Sequence, residues 1–233
     1  MKKTLAALAM IFLVAGAFTS VRLAAADPVL VFVKPLKFNG QVSIHVRPDA
    51  KWLNLGASVH AGARPAPEGI MTLMGQRAKF ASDWYNLRIG GATPRAGGPI
   101  TLTFQRAVAP AAPGRAGATL CTGSAVAPVP IRYTTPANDA HIAVAGPGSL
   151  TVSWNGGNPP YRVMISKSGG DRVITEADFA GTRLDVPLSI FAAGNRYLIL
   201  ISDAKRPIVF DRPVDPASNL SLLQVAGIYF YAD

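Results

Sequence analysis

The chain has 233 residues, and its single cysteine, Cys121, excludes an internal disulfide. It carries 23 lysine and arginine residues against 13 aspartate and glutamate residues, a formal net charge of +10 that favours anionic partners. With 22 glycines, 19 prolines and apolar residues that alternate with polar ones in short runs, the composition is typical of an all-β protein rather than a helical one.

The first 26 residues have the three parts of a secretory signal peptide. A positive start at Met1-Lys2-Lys3 precedes an apolar run, which is too short to span a bilayer, and Ala24-Ala25-Ala26 supplies an A-x-A cleavage site. We expect bacterial Sec-type export to the periplasm or the medium and a mature chain that starts at Asp27, with no transmembrane segment after cleavage. Ala15-Gly16-Ala17 is an alternative cleavage site, so the bond that is cut stays open.

Residues 27–134 are expected to form a basic, β-rich domain. Its candidate strands are Val29–Val33, Gln41–Val46, Trp52–Leu55, Trp84–Ile89, Ile100–Gln105, Thr119–Val126 and Pro130–Tyr133. Residues 66–80 fit either a short helix or a strand broken at Gly75. The stretch 107–118, AVAPAAPGRAGA, predicts a loop, and residues 134–139 predict a linker to a second domain over residues 136–233.

Charge is unevenly distributed between the two halves. Residues 27–138 carry 12 lysine and arginine residues against four acids, a net +8, whereas residues 139–233 carry eight against nine, a net −1. No acid occurs from Trp84 to Asn138, a stretch whose five arginines are candidate contacts for an anionic partner: Arg88, Arg95, Arg106, Arg115 and Arg132. An alternative is that the charge only keeps the protein soluble. The arginines are isolated and no nucleic-acid-binding motif accompanies them, which argues against nucleic acid.

The stretch SWNGGNPPYRVMIS at residues 153–166 predicts two strands joined by a turn. Leu150, Val152 and Trp154 share one strand face, while Tyr161 and Val163 share a face of the next strand, and the residues between are turn formers. We therefore predict that Trp154 and Tyr161 are core residues rather than a ligand platform. Further strands are expected at Leu184–Leu188, Arg196–Ser202 and Pro207–Phe210.

These runs, together with Phe191-Ala192-Ala193-Gly194-Asn195-Arg196-Tyr197, resemble the B, C and F strands of a fibronectin type III or immunoglobulin-like sandwich. The resemblance covers residues about 140–212. It implies a two-sheet fold with Trp154 in the core and Tyr197 in a tyrosine corner, although Ala193 stands where proline is usual. It implies no catalytic residue. The fold class we expect is two β-sandwich-like domains, the second immunoglobulin-like.

The last residues predict a short helix followed by a strand. Asp215 as N-cap, Pro216 at the first helical position and Gly227 past the end bracket a helix of about ten residues. Ile228–Tyr231 then predicts a strand, which either completes its own sheet or docks on the first domain or on a partner.

Residues that carry chemistry are few, and we identify no catalytic, metal or cofactor site. His45, His60 and His141 lack metal-ligand spacing, and Glu68 and Glu176 have no supporting flanks. Ser202-x-x-Lys205 lacks its companion motifs. Cys121 fits a buried apolar position, the alternatives being a disulfide to a partner or a nucleophile.

From the sequence we expect an exported, non-enzymatic binding or structural module that contacts an anionic envelope component or a protein partner. One alternative is a subunit or chaperone of a surface organelle or secretion system. Another is a hydrolase whose site is assembled from scattered residues.

Overall fold

The short alternating runs of the sequence form strands that pair into sheets. The structure is a computed structural model that describes residues 35–66, 69–91, 93–106 and 119–233. The side chains of Arg106, Thr119 and Leu120 are not part of this description. The expected signal peptide, the strand Val29–Val33 and the loop 107–118 lie outside the described residues.

The described residues form nineteen strands and one three-residue 3-10 helix, Leu188–Ile190. None of the described segments is a helix with the length and hydropathy needed to cross a membrane. The strands are β1 (Leu36–Val46), β2 (Lys51–Ala61), β3 (Arg64–Pro65), β4 (Gly69–Leu73), β5 (Gln76–Arg77), β6 (Lys79–Ala81), β7 (Trp84–Gly90), β8 (Pro99–Arg106), β9 (Thr119–Val126), β10 (Arg132–Thr135), β11 (Ala140–Ile142), β12 (Ser149–Asn155), β13 (Tyr161–Lys167), β14 (Arg172–Phe179), β15 (Arg183–Pro187), β16 (Asn195–Ser202), β17 (Arg206–Pro207), β18 (Val209–Phe210) and β19 (Ser221–Ala232).

An eleven-stranded sheet, which we call the long sheet, runs through both halves of the protein. Its main order is β14-β13-β16-β19-β1-β2-β7-β6, with β3, β11 and β17 as side pairings. A five-stranded sheet, β18-β9-β8-β4-β5, covers one end of it, and a three-stranded sheet, β10-β12-β15, belongs to the other end. Two hydrophobic cores lie between these layers, so the protein contains a first and a second sandwich.

The first sandwich is closed by a segment that follows the second sandwich in sequence. Its core includes Phe38 of β1 and Phe104 of β8, whose ring centroids lie 6.0 Å apart. Phe210 of β18 stacks on Phe38 at 4.5 Å, and β18 pairs with β9. Residues after 205 therefore contribute to both sandwiches, and the described residues all belong to one compact unit. Whether residues 27–134 and 136–233 act as separate domains stays a prediction.

The second sandwich has the strand order of an immunoglobulin-like module. The strands β14-β13-β16-β19 form one layer and β10-β12-β15 the other, with Trp154, Val163 and Ile199 in the core between them. The short strand β11 adds to the first layer by pairing with β19 in parallel. The immunoglobulin-like expectation for this half and the all-β fold class are confirmed.

Strand β19 connects the two sandwiches and replaces the helix that we expected at residues 215–227. Its residues 221–226 pair in parallel with β1, and residues 225–232 pair antiparallel with β16. The helix prediction is wrong because alternate residues from Leu222 to Ala232 face the cores, and this period of two fits a strand held on both sides. The Asp215 side chain instead accepts a hydrogen bond from the Ala217 N–H (2.8 Å) within a turn.

The ambiguous segment at residues 66–80 is a hairpin rather than a helix. β4 and β5 pair across Met74 and Gly75, both of which have positive φ, 51° and 78°. Glycine tolerates such a turn without steric cost. The edge strand β14 was not expected from the sequence, because its exposed charged residues obscure the alternation.

Candidate functional site

The three predicted core residues lie inside the second sandwich. Trp154 is 3% exposed, Tyr161 4% and Tyr197 3%, and the Trp154 and Tyr161 rings meet edge to face with centroids 5.3 Å apart. The Tyr161 hydroxyl donates to the Gly156 carbonyl oxygen at 2.9 Å, which closes the turn between the two strands. The Tyr197 hydroxyl accepts a hydrogen bond from the Ala192 N–H at 2.8 Å, as in a tyrosine corner.

The five candidate arginines do not form one cluster. Arg88 lies on the outer face of β7, and Arg132 lies on β10 with its side chain exposed. Arg95 is exposed in the connection from β7 to β8. Arg106 ends β8, but its side chain is not described, and Arg115 lies outside the described residues. Two of the five, Arg88 and Arg132, lie in the same part of the structure, and the residues that connect them were not predicted from the sequence.

The first of these residues is Trp52, which holds Arg88 and His45 on the outer face of the long sheet. His45 of β1 is directly opposite Trp52 of β2, and the two rings stack with centroids 4.7 Å apart and planes 4° apart. Arg88 approaches from β7 on the other side, with its Cζ 4.3 Å from the Trp52 ring centre. Burial lowers the pKa of His45, and the positive charges of Arg47 and Arg88 lower it further. His45 is therefore neutral at pH 7.

Arg47 continues this arrangement across the sheet. Its Cζ lies 5.4 Å from the Trp52 ring, and its Nη1 donates to the Tyr229 hydroxyl at 3.4 Å. Arg196 then lies 3.9 Å from the Tyr229 ring and 5.4 Å from the Tyr231 ring. The ring of His141 stacks on Tyr231 at 4.8 Å. We call this alternation the aromatic–cation row; its members are Arg88, Trp52, His45, Arg47, Tyr229, Arg196, Tyr231 and His141.

A cavity of about 370 Å³ opens beside the row, where the two sandwiches meet. Three cationic side chains line it, Arg47 and Lys51 from the first sandwich and Arg132 from β10. The remaining lining is formed by Val46 and Pro48 beside Arg47, by Ile131 and Tyr133 at the start of β10, by residues 136–138 after it and by residues 226–228 of β19. We call this cavity the junction pocket.

The cations of the junction pocket and Arg88 are not neutralised by other described residues. Arg47, Lys51, Arg88 and Arg132 make no ion pair within the described ranges, whereas all four ion pairs found there lie in residues 139–233. Three of those pairs join Arg183 to Asp185, Arg196 to Asp139, and Arg206 to Asp203. The fourth joins Asp233 to His141, which carries a charge only when its ring is protonated. The positive field of the first half is therefore still available to an anionic ligand.

The groups considered for catalysis do not form a site. Cys121 is buried, and burial, together with the nearby Asp211, raises its pKa to about 12, so the thiol is protonated at neutral pH. Ser202 and Lys205 line one cavity of about 290 Å³, but no hydrogen bond joins their side chains. Within the described residues no group of three His, Cys, Asp or Glu side chains is placed to hold a metal ion. Glu68 lies outside the described residues, and Glu176 is exposed on β14.

The sequence analysis missed Arg47, Lys51 and Trp52 because it searched for acid-free stretches rather than for strand faces. The signal was present in the alternation: His45 and Trp52 occupy outward positions of two adjacent predicted strands, and Arg47 and Lys51 flank the turn between them. Strand pairing is needed to place Arg132 and Gly227 beside this turn, and sequence spacing does not contain that information.

The comparison with known proteins assigns the chain to no family. No protein-family model matches the sequence, and no curated protein matches it. Solved structures that match include the crystal structure of DIP-gamma IG1+IG2, at 14% identity and a TM-score of 0.24, covering 81% of this chain and 97% of that one. The complex of Dpr11 IG1 bound to DIP-gamma IG+IG2 matches at 16% identity and a TM-score of 0.24, covering 80% and 97%. The human OSCAR ligand-binding domain matches at 15% and 0.24, covering 76% and 97%. The immunoglobulin-like description of the second sandwich rests on its strand order and core.

Proposed function

We propose that the protein is an exported, non-catalytic binding module that holds an anionic component of the bacterial envelope with the basic residues 27–134, along the first sandwich and its junction with β10. The single observation that carries this proposal is a group of cations that have no ion pair with another described residue, Arg47, Lys51, Arg88 and Arg132, gathered around the Trp52 stack and the junction pocket. Exposed charges that are not paired within the protein attract anions over about 8–10 Å at physiological salt.

Export is supported by the sequence of residues 1–26 alone, since these residues lie outside the described part of the chain. If the full chain is expressed in a bacterium, we expect the mature protein in the periplasmic or extracellular fraction with Asp27 at its N-terminus. N-terminal sequencing of the recovered protein checks this. Recovery from the cytoplasm with Met1 intact would show that the segment is not a signal peptide.

Binding is tested with the mature chain, residues 27–233, and defined polymers. Purified lipopolysaccharide and wall teichoic acid serve as anionic probes, and neutral dextran is the control. We expect binding to the anionic polymers only, with an affinity that falls by about tenfold or more as salt rises from about 50 to about 300 mM. Equal binding to dextran, or binding indifferent to salt, would contradict the proposal.

A pair of matched double variants tests which half holds the polymer. Arg88→Ala/Arg132→Ala removes two charges from the proposed surface, and Arg162→Ala/Arg172→Ala removes two exposed charges from the second sandwich. We expect the first variant to weaken binding by about tenfold and the second by less than about twofold. Equal losses of binding in the two variants would mean that binding depends on the total charge of the protein and not on the position of the cations.

A further inference from the structure

The junction pocket is a better match to one compact anionic group than to a flat surface. Its volume of about 370 Å³ is at the lower end of the range for small-molecule pockets. Three cations reach it from two hairpin positions and from β10, and none of the acidic residues in the described ranges lines it. Guanidinium groups bind phosphate oxygens in pairs, while a lysine adds a point charge.

Arg47 is held in place before any ligand arrives. Its Nη1 donates to Tyr229, its Cζ lies against the Trp52 ring, and its Cγ lies close to the backbone of Gly227 on β19. Its Nε is enclosed by protein and has no hydrogen-bond acceptor among the described residues. Because this nitrogen is enclosed, a ligand cannot reach it, and what prepares Arg47 for binding is the set of contacts that fixes its side chain beforehand.

The backbone of Lys51 and of Arg132 is held by hydrogen bonds within the sheets, while their side chains have no polar partner among the described residues. The Lys51 carbonyl accepts a hydrogen bond from Gly91 N–H at 2.9 Å, and β10 pairs Arg132 with Asn155 of β12. Neither side chain makes a hydrogen bond, an ion pair or a ring contact with another described residue. Both can therefore close on an anion without breaking an existing interaction.

The rest of the pocket lining offers a surface for a sugar ring rather than a second charged group. Ile131, Tyr133 and Ile228 line it without charge, and since Ile131 and Ile228 are buried, the half-buried Tyr133 is the side chain that a sugar ring can meet. The Asn138 carbonyl oxygen accepts from Tyr229 N–H at 3.0 Å and its amide nitrogen donates to Asp139 at 2.6 Å, so this polar side chain is already engaged. The aromatic–cation row leads away from the pocket on the same sheet.

We infer that the junction pocket binds a phosphate group carried on a sugar, with Arg47, Lys51 and Arg132 around the phosphate and the sugar against Tyr133 and the residues beside it. This inference rests on the proposed function and names the part of the anionic polymer that is recognised. The rest of the polymer would then follow the aromatic–cation row across the long sheet.

Calorimetric titration of the mature chain with glucose 1-phosphate tests the inference, with inorganic phosphate, glucuronate and glucose as comparison probes. We expect glucose 1-phosphate to bind most tightly and glucose not at all. If glucuronate binds as tightly, the preference for phosphate is wrong. If inorganic phosphate binds as tightly, the sugar contributes nothing and that part of the inference is wrong.

Variants identify the pocket as the place of binding. Arg132→Ala and Lys51→Ala should each weaken glucose 1-phosphate by about tenfold, and Arg132→Lys by less, since it keeps the charge but loses the paired donors. Arg172→Ala on β14 is the matched control and should change nothing. Asp49→Asn, in the turn between β1 and β2, should tighten binding. It removes a negative charge that lies between Arg47 and Lys51 in the sequence and would repel an anion. Unchanged binding in both Arg132→Ala and Lys51→Ala would place the ligand elsewhere.

The outcomes separate this inference from the proposed function. If teichoic acid binds in a salt-dependent way but glucose 1-phosphate does not bind, the proposed function stands and the pocket assignment is wrong. If no anionic polymer binds, the proposed function itself fails. Urea unfolding midpoints equal to that of the parent protein would show that a loss in Arg132→Ala or Lys51→Ala is a loss of binding and not of folding.

Discussion

The two sandwiches share β19 and the same layered architecture, but they differ in where their charged and aromatic side chains lie. In residues 139–233 eight lysine and arginine residues are matched by nine acids, three of these cations lie in ion pairs, and the large aromatic residues Trp154, Phe191, Tyr197 and Phe230 form one core. In the described part of the first half, cations stand without carboxylate partners, and Trp52 and Trp84 lie at the surface of the long sheet.

This difference affects the recognition of charged ligands more than it affects the stability of the fold. An exposed ion pair contributes only about 0–1 kcal/mol, so pairing in the second half does little to hold the fold together. Its main effect is to cancel the field of that half. The first half keeps its field, and the aromatic rings of the row orient the guanidinium groups that produce it.

The largest expected effect contrasts a buried tryptophan of the second sandwich with an exposed one of the first. Trp154→Ala removes a ring that contacts Tyr161 and Phe179, and it should lower the free energy of unfolding by about 3–5 kcal/mol. Trp84 is 42% exposed, and Trp84→Ala should cost about 0.5 kcal/mol or less. Urea denaturation of both variants measures the contrast, and similar losses would show that the surface tryptophan also has a structural role.

A smaller effect is expected at Asp203–Arg206, the buried ion pair of the part of the chain that the structure describes. The Asp203 carboxylate is fully buried, lies 2.6 Å from Arg206, and accepts a hydrogen bond from the Gln224 N–H at 2.7 Å. Asp203→Asn should lower the free energy of unfolding by about 1–3 kcal/mol at acidic pH, because the asparagine side chain has one acceptor oxygen for the two donors, Arg206 Nη2 and Gln224 N–H. Asp185→Asn, in an exposed pair on β15, is the control and should change the urea midpoint much less.

The pH dependence of this variant sharpens the test. Burial raises the pKa of Asp203 despite the hydrogen bonds and the charge of Arg206. A carboxyl whose folded pKa is above the unfolded value of about 3.9 stabilises the fold most below that value, and the contribution is lost as pH rises through the folded pKa. The advantage of the parent protein over Asp203→Asn should therefore shrink from about pH 4 upward. An advantage that grows with pH would contradict the raised pKa.

Periodicity in the sequence was sufficient to predict β12, β13 and β16 of the second sandwich but not its edge strand β14, because inward positions such as Trp154, Val163 and Ile199 repeat every two residues with turn formers between the runs. It failed at residues 215–227, where a capping pattern around Asp215 and Gly227 indicated a helix. Pairing of β19 with β1 and β16 decides the conformation there, and these contacts come from residues far away in sequence.

The candidate site was predictable only in part for the same reason. Arg88 and Arg132 were found from the absence of acids around them, which is a property of the sequence. Their relation to each other depends on Arg47, which contacts the same tryptophan as Arg88 and lines the same pocket as Arg132. Only the register of β1, β2 and β19 shows that connection.

The smallest expected effect concerns a buried tyrosine hydroxyl in each sandwich. Tyr197 accepts a hydrogen bond from Ala192 N–H in the second, while Tyr85 in the first donates to the carbonyl oxygens of Ala66 (2.8 Å) and Gly69 (3.1 Å). Replacing either by phenylalanine keeps the ring and removes these bonds, so each should lower the free energy of unfolding by about 0.5–1.5 kcal/mol. Tyr231→Phe, on the outer face of β19, is the control and should be close to neutral. Equal losses at positions 85 and 197 would show that the two sandwiches fix their corners to a similar degree. A loss at 197 alone would mean that the first sandwich tolerates a looser connection between β3 and β4, and the structural contrast between the halves would then extend from their surfaces to their interiors.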